Sequence, residues 1–155
     1  MEIEKTTTLT APVERVWQVL LDPEVMRLCV PGIESVEMLN DTDYVVGIRV
    51  KMAFVNARFK VRGTIIEMCA PTYLRSIATG EDSSLTSSLK QSSEVFLAEH
   101  GDGTMELRTK VNVEVFGRLG TFGINMLKTK ADRVWEEFGR NLAAHLETEA
   151  RQLAI

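Results

Sequence analysis

Residues 104–153 read TMELRTKVNVEVFGRLGTFGINMLKTKADRVWEEFGRNLAAHLETEARQL and contain the two patterns from which the fold is inferred. From Thr104 to Phe116 apolar and polar residues alternate, which predicts a strand with one buried and one solvated face. From about Thr121 to Leu153 apolar residues recur every three or four positions, which predicts an amphipathic helix. At ~1.5 Å per residue this helix is long enough to lie across a whole sheet.

Upstream of this segment, the same alternation predicts further strands. Asn40 to Asp43 forms a polar turn of hairpin length, and Gly101-Asp102-Gly103 forms another. Between such turns the sequence favours β-structure throughout. The predicted strands are about 2–10, 33–39, 44–52, 54–69, 73–79, 84–98 and 104–116.

Two short helices are predicted between the first two strands. Pro12 suits the first turn of one helix, and apolar residues follow it at helical spacing. Asp22-Pro23-Glu24 places a capping carboxylate, a proline and an acid at the start of the other, which Pro31-Gly32 ends. The order strand, two helices, six strands, helix predicts a single α+β domain over residues 1–155.

The composition describes a soluble globular domain. The chain has 155 residues, 45% of them hydrophobic, and 18 basic against 22 acidic residues give a formal charge of −4. The acidic balance argues against nucleic-acid binding, because nucleic-acid-binding domains carry a basic excess. There is no apolar run of ~20 residues and no secretion-signal pattern after Met1, so we expect a cytoplasmic protein.

Cysteine and histidine give no sign of catalysis or metal binding. The cysteines, Cys29 and Cys69, and the histidines, His100 and His145, lack metal-ligand spacing. There is also no Ser/His/Asp arrangement, paired-carboxylate motif or phosphate-binding loop. We therefore predict no catalytic residues, no metal and no cofactor, and expect that the protein is not an enzyme.

Several motifs, in this order along the chain, resemble a known family. They are APVERVW at 11–17, LDPE at 21–24, VPG at 30–32, GT at 103–104, and VFGRLGTFG at 115–123, which leads into the helix containing Phe138. On these motifs the chain resembles the helix-grip superfamily of START-like, Bet v 1-like and polyketide-cyclase-like (SRPBCC) domains. More closely, it resembles the carbon monoxide dehydrogenase CoxG family.

The sequence departs from that family's pattern in two places. Ala53 stands where the resemblance leads us to expect a glycine soon after Lys51. The sequence also ends at Ile155, without the C-terminal extension ending in a membrane anchor that some members carry. We therefore expect no anchor of that kind.

The resemblance implies a fold, a ligand and a partner. The fold is a curved antiparallel sheet wrapped around the long C-terminal helix, with a cavity between them for a hydrophobic small molecule. Members linked to molybdenum-containing carbon monoxide dehydrogenase are thought to tether that enzyme to the membrane or to carry a quinone for it. The implied partners are a molybdenum hydroxylase complex or the inner membrane face.

Candidate cavity residues come from positions expected to face the helix. If the odd positions of strand 84–98 face inward, Ser87, Gln91 and Ser93 need hydrogen-bond partners that a ligand or ordered water would supply. In the alternative arrangement the even positions, including Phe96, face inward. For the apolar candidates the alternative is ordinary core packing. The candidates are Phe54, Phe59, Ser87, Leu89, Gln91, Ser93, Leu107, Thr109, Val111, Phe122, Met126, Leu127, Lys130 and Val134.

Positive charge is concentrated on one predicted hairpin and at the start of the last helix. The outward face of this hairpin is a candidate docking face for anionic lipid or for an acidic partner. The alternative is a solvated strand face that prevents edge-to-edge pairing of sheets. The docking candidates are Arg49, Lys51, Arg58, Lys60 and Arg62, joined by Lys128, Lys130 and Arg133 on the helix.

Three glycines recur before the last helix, at Gly117, Gly120 and Gly123. One interpretation is a flexible lid that admits a ligand. The other is structural, because glycine allows tight turns and close packing.

The function predicted from the sequence is non-enzymatic binding of a lipid or quinone-like molecule, accessory to a carbon monoxide dehydrogenase-type molybdenum hydroxylase. One alternative is an enzyme of polyketide cyclase or dehydratase type, which a buried acid or tyrosine pointing into the cavity would favour. Another is an interaction module with a filled core and no ligand. The expected location is the cytoplasm, with peripheral association at the inner membrane face as an option.

Overall fold

The computed structural model describes residues 1–53, 55–84 and 86–154, which form seven strands and three α-helices. A single 3₁₀ turn in the described chain precedes the last helix. The strands are β1 (Glu2–Leu9), β2 (Ile33–Met38), β3 (Asp43–Met52), β4 (Val55–Cys69), β5 (Tyr73–Asp82), β6 (Ser87–Glu99) and β7 (Met105–Gly117). The helices are α1 (Val13–Leu20), α2 (Pro23–Cys29) and α3 (Ile124–Leu153), and the 3₁₀ turn spans Leu119–Phe122.

The strands form one antiparallel sheet in the order β1-β7-β6-β5-β4-β3-β2. Register shifts interrupt the pairing of β4 between Ile65 and Glu67, and that of β2 between Ile33 and Ser35. Such irregularities bend strands and increase their twist. All three helices contribute buried side chains to the inward face of the sheet. The predicted α+β helix-grip architecture is confirmed.

Asp22 fixes the start of α2 as the sequence predicts. Its Oδ1 atom accepts hydrogen bonds from the backbone N–H groups of Glu24, at 3.0 Å, and Val25, at 3.4 Å. Pro23 occupies the first helical position, where the missing N–H costs nothing. Because α2 lies over the sheet, this cap also positions one wall of the site described below.

Two boundaries differ from the prediction for identifiable reasons. Helix α3 begins at Ile124 instead of Thr121, because Gly123 has a φ of 83°, in the left-handed region. Strand β6 begins at Ser87 instead of Ser84, because residues 83–86 form a loop around Asp82. The Asp82 carboxylate accepts hydrogen bonds from the N–H groups of Thr86 and Ser87.

The inward face of β6 consists of the odd-numbered residues. Leu97 is buried in the core, whereas Phe96 lies on the outward face. There the Phe96 ring contacts Tyr73, with centroids 5.2 Å apart, and the Arg108 guanidinium lies 4.4 Å from its centroid. The alternative arrangement with the even positions inward is therefore wrong.

The buried apolar residues form two separate clusters. The first joins α1, α2 and the second half of α3 to β1, β6 and β7, and it includes Phe138, Leu142 and Leu146. The second joins the β3–β4 hairpin to the segment before and at the start of α3. Between the clusters, the inward-facing side chains of the middle strands are mostly half-buried. The core is therefore incomplete in the middle of the sheet.

The β3–β4 turn is strained at Ala53. Met52 pairs with Val55, so Ala53 lies in a two-residue turn, and its φ is 51°. Left-handed backbone costs an alanine about 1–2 kcal/mol, part of which a glycine would return through its greater unfolded-state entropy. We expect Ala53→Gly to raise the free energy of unfolding by about 0.5 kcal/mol. Urea denaturation measures this, and a loss of stability would contradict it.

Candidate functional site

Two adjoining chambers open on the inward face of the sheet. The larger has a volume of about 310 Å³ and lies between α2 and strands β2 to β6. The smaller, of about 200 Å³, lies between α1, the ends of β5 to β7, and Phe138 of α3. The two chambers share Leu20, Leu21, Met26 and Leu74 in their walls.

The helical wall of these chambers differs from the expected one. The sequence predicts a cavity against residues 121–146 of the long helix, but of this range only Phe138 lines the two chambers. Helices α1 and α2 form the wall instead, through Leu20, Leu21 and Met26. The reason is that α2 crosses the gap between the two core clusters.

The structure separates the candidate cavity residues into lining residues and core residues. Ser93 lines the larger chamber, and Leu107 and Thr109 line the smaller one. The second core cluster takes up several others. Phe59 is buried in that cluster, and Leu89, Phe122 and Leu127 pack against it.

Ser87 was expected to need a ligand or water, but the chain itself satisfies its hydroxyl. The Ser87 Oγ accepts a hydrogen bond from the Leu119 N–H at 3.0 Å, and the residue is buried. It connects β6 to the 3₁₀ turn and does not line either chamber. Its proposed role at the ligand is wrong.

The remaining candidates lie outside the walls of the two chambers. Gln91 and Val111 are half-buried, with Gln91 in the same register row as Ala78 and Val111 in that of Ser93. On α3, Lys130 and Val134 are half-buried and Met126 is exposed. Phe54 lies outside the described residues.

Polar groups meet at one point on the wall of the larger chamber. The Tyr44 hydroxyl lies 2.5 Å from the Ser76 Oγ, and Ser76 is directly opposite Ser93 in the register. The Tyr44 ring crosses Gly63, where an added Cβ would lie 2.1 Å from a ring carbon. Gly63 therefore makes room for the ring that carries this hydroxyl.

Tyr44 is the main residue that the sequence analysis missed. Its alternation was recognised, but a tyrosine on an inward face was not distinguished from core. The available signal is the pairing of Tyr44 with Gly63. A glycine inside a strand often marks a place where a large group approaches the backbone closely.

The mouth of the larger chamber has an apolar rim. Leu21, Met38 and Met68 all line the chamber, and their side chains are 36%, 38% and 46% exposed. Asp41 adds a carboxylate at the same mouth. An apolar molecule could therefore enter along a surface that is itself apolar.

A family model for the carbon monoxide dehydrogenase protein CoxG matches residues 6–147. The chain belongs to the CoxG family. No curated protein matches the sequence significantly.

Solved structures place the chain among START-like helix-grip proteins. A conserved protein from Geobacillus kaustophilus superposes with a TM-score of 0.87 at 20% identity, covering 96% of each chain. A START superfamily protein from Mycobacterium smegmatis has a TM-score of 0.76 at 15% identity, covering 95% of this chain and 97% of its own. The Zhui aromatase/cyclase from Streptomyces sp. R1128 has a TM-score of 0.72 at 18% identity, covering 97% and 95%. At these identities the likeness establishes the fold.

In this CoxG family member, two of the three recurring glycines are required by close packing. A Cβ at Gly117 would lie 2.1 Å from the Thr86 carbonyl oxygen, and one at Gly120 would lie 2.6 Å from that of Val115. Gly123 has open space around it. The structural interpretation therefore holds for Gly117 and Gly120.

The basic residues of the β3–β4 hairpin lie on the outward face of the sheet, as expected. Glu34 of β2 pairs with Arg49 at 3.6 Å and with Arg58 at 3.4 Å. Within the described chain, Lys51, Lys60 and Arg62 form no ion pair. Part of the cluster is thus neutralised and part is available to a partner.

The cysteines and histidines of this family member have structural surroundings. Burial raises the pKa of the Cys29 thiol, which disfavours the thiolate. The His145 Nε2 lies 3.0 Å from a Glu149 oxygen, and the His100 ring contacts Thr104. Over residues 1–53, 55–84 and 86–154, no cluster of three or more His, Cys, Asp or Glu side chains is arranged to hold a metal.

Proposed function

We propose that this CoxG family member binds a hydrophobic small molecule with one polar group, of lipid or quinone-like type. The observation that carries the proposal is the two-chamber cavity, whose apolar walls contain the Tyr44, Ser76 and Ser93 hydroxyls at one point. Ligand sites of ~300–1,000 Å³ with apolar walls and a few converging polar groups are typical of small-molecule binding.

The proposed ligand would complete the core. The chambers occupy the gap between the two apolar clusters, so an apolar body placed there removes the half-buried walls from water. Its polar group would pair with the Tyr44–Ser93 region, where a hydroxyl donor suits a carbonyl oxygen. This supports a quinone or a fatty acyl compound over a fully apolar hydrocarbon.

Filling the cavity tests the proposal. Ser93→Phe introduces a ring into the larger chamber, whereas Ser92→Phe introduces the same ring on the outward face of the same strand. Trp17 lines the smaller chamber, and its fluorescence provides the signal for titration with menadione or oleate. We expect saturable binding that Ser93→Phe weakens at least tenfold and Ser92→Phe leaves unchanged.

Two results would count against the cavity as the ligand site. One is menadione and oleate binding that both variants weaken equally. The other is a lack of saturable binding by the wild-type protein, together with no apolar compound retained on purification from native cells. Mass spectrometry of the extracted protein gives the second measurement and identifies any retained ligand.

We also propose that the protein serves a carbon monoxide dehydrogenase-type molybdenum hydroxylase in the cytoplasm or at the inner membrane face. Family membership supports this. Within the described residues no helix is both long and apolar enough to cross a membrane. Tagged protein purified from native cells that express the hydroxylase is expected to carry molybdenum and to fractionate with it. Purification without molybdenum would contradict the partnership.

A catalytic alternative is favoured by Tyr44, because a tyrosine now lies on the cavity wall where the sequence showed none. One structural neighbour is an aromatase/cyclase, and enzymes of that type act on polyketides with side chains that line the pocket. If Tyr44 is catalytic, Tyr44→Phe should abolish turnover of a polyketide substrate while leaving menadione affinity within about threefold. We expect no turnover by the wild-type protein, as for a binding protein, and turnover would overturn our proposal.

A further inference from the structure

The charge of the molecule is strongly divided. Residues 49–62 and 115–131 contain eight of the 18 basic residues and no acidic residue. The other ten basic residues share the rest of the chain with all 22 acidic residues. The second core cluster packs these two segments against each other, so the basic residues collect at one end of the sheet.

A trough runs across the outward face of the sheet beside this basic end. It consists of two adjoining recesses of about 500 and 740 Å³, which share Arg62 and Thr79 in their walls. Phe116 lies in the smaller recess and Ile77 in the larger, and their side chains are 50% and 46% exposed. The trough therefore presents separate apolar positions on an otherwise polar sheet face.

Basic side chains lie between these apolar positions. Lys60 and Arg62 line the smaller recess, and Arg62 and Lys90 line the larger one. None of the three forms an ion pair with an acidic side chain of the described chain. This is so although Glu81 is beside Lys60 in the register and Glu114 is beside Lys90.

We propose that the trough is a docking site for an extended acidic segment of another protein. Apolar side chains of the segment would contact Phe116 and Ile77, and its carboxylates would pair with Lys60, Arg62 and Lys90. The trough lies on the opposite face of the sheet from the ligand cavity. The proposal therefore goes beyond the ligand-binding function and does not depend on it.

The shape of the trough favours a protein segment over a membrane. A bilayer surface is close to planar and would touch only the rims of a concave recess. An extended segment can follow the floor of the trough and bring apolar and acidic side chains to it in alternation. Outward-facing cations with exposed apolar neighbours also fit a partner that is both acidic and partly apolar.

The test begins with a random peptide library displayed on phage and selected on the wild-type protein. We expect the enriched peptides to carry several Asp or Glu residues and at least one large apolar residue. A peptide synthesised from the enriched set should bind at least tenfold more weakly to the Arg62→Glu/Lys90→Glu variant. Its affinity should also fall as salt is raised from 50 to 300 mM, because exposed charges are screened.

A matched control uses Arg75→Glu/Lys110→Glu, which makes the same charge change on the same face outside the trough. This variant should keep the peptide affinity within about twofold. Menadione binding, followed through Trp17, should be unchanged in both variants, which shows that each is folded and separates this proposal from the ligand-binding one.

Three outcomes would overturn the docking proposal. Selection could yield no enriched peptides, or enriched peptides without acidic residues. The Arg75→Glu/Lys110→Glu variant could lose the peptide as strongly as the trough variant does. Vesicles of phosphatidylcholine and phosphatidylglycerol could bind the wild-type protein through Arg62 and Lys90 while no peptide is enriched, which would assign the trough to lipid.

Discussion

Gly117→Ala is expected to lower the free energy of unfolding by about 3 kcal/mol. Gly117 has a φ of 78°, and an added Cβ would lie 2.1 Å from the Thr86 carbonyl oxygen. The left-handed backbone costs an alanine about 1–2 kcal/mol, and forcing the Cβ against backbone adds an overpacking cost of similar size. Denaturation in urea, followed by circular dichroism, measures the loss.

Gly123→Ala is the matched control for this prediction. Gly123 has nearly the same φ, 83°, but no other atom lies within 4 Å of its added Cβ. We expect this variant to lose only the backbone term, about 1 kcal/mol. Equal losses in the two variants would show that the contact with Thr86 is unimportant. That result would favour the lid interpretation of the glycine segment.

Asp82→Ala is expected to cost about 3 kcal/mol of unfolding free energy at neutral pH, because its carboxylate supports the β5–β6 loop. The carboxylate accepts bonds from the Thr86 N–H at 2.7 Å, the Ser87 N–H at 3.2 Å and the Thr86 hydroxyl at 2.8 Å. Ser84 donates a further bond at 3.0 Å. Without the carboxylate the two N–H groups lose their partner, at about 1–3 kcal/mol each when buried.

The same contribution should depend on pH in a defined direction. Burial by itself raises the pKa of Asp82, but the hydrogen bonds from Thr86, Ser87 and Ser84 outweigh burial and hold the pKa below its ordinary value. A lowered pKa means that the stabilisation is complete above the unfolded-state pKa of about 3.9 and is lost as the pH falls through the folded-state value. The stability difference between wild type and Asp82→Ala should therefore shrink below about pH 4.

Asp102→Ala provides the control for the Asp82 experiment. Asp102 also accepts a backbone N–H bond, from Thr104 at 3.0 Å, but it lies in an exposed turn where water can replace the carboxylate. We expect a loss well below that of Asp82→Ala, since exposed N–H groups are not left unpaired. A difference from wild type that stays constant down to pH 2.5 in Asp82→Ala would contradict the role given to its ionised form.

Most of the fold could be predicted from the sequence because its determinants are local. Alternation reports which residues of a strand share a face, whatever the strand pairs with. Asp22 caps α2 through its own neighbours, so a few residues of sequence contain the whole interaction. The boundaries that were missed depend on Gly123 and Asp82, where a left-handed glycine and a loop-binding carboxylate override the repeating pattern.

The candidate site was predictable only in part, because its members are selected by contacts between distant elements. Ser87 and Ser93 are the same residue type on the same face of β6 and cannot be told apart in the sequence. The amide of Leu119 reaches Ser87, more than 30 residues away along the chain, and leaves Ser93 to line the cavity. Tyr44 likewise becomes a cavity residue because the strand register places Gly63 beneath its ring.

The sequence by itself determined the elements, their order, the inward and outward faces of most strands and the family. Only the tertiary structure decided where the core stays open. Whether a gap is filled depends on the volumes of side chains brought together from separate elements, and packing of this kind is not a local property. Here α1 and α2, not the first half of α3, enclose the space, because Phe138, Leu142 and Leu146 are used in one cluster and Leu127 in the other.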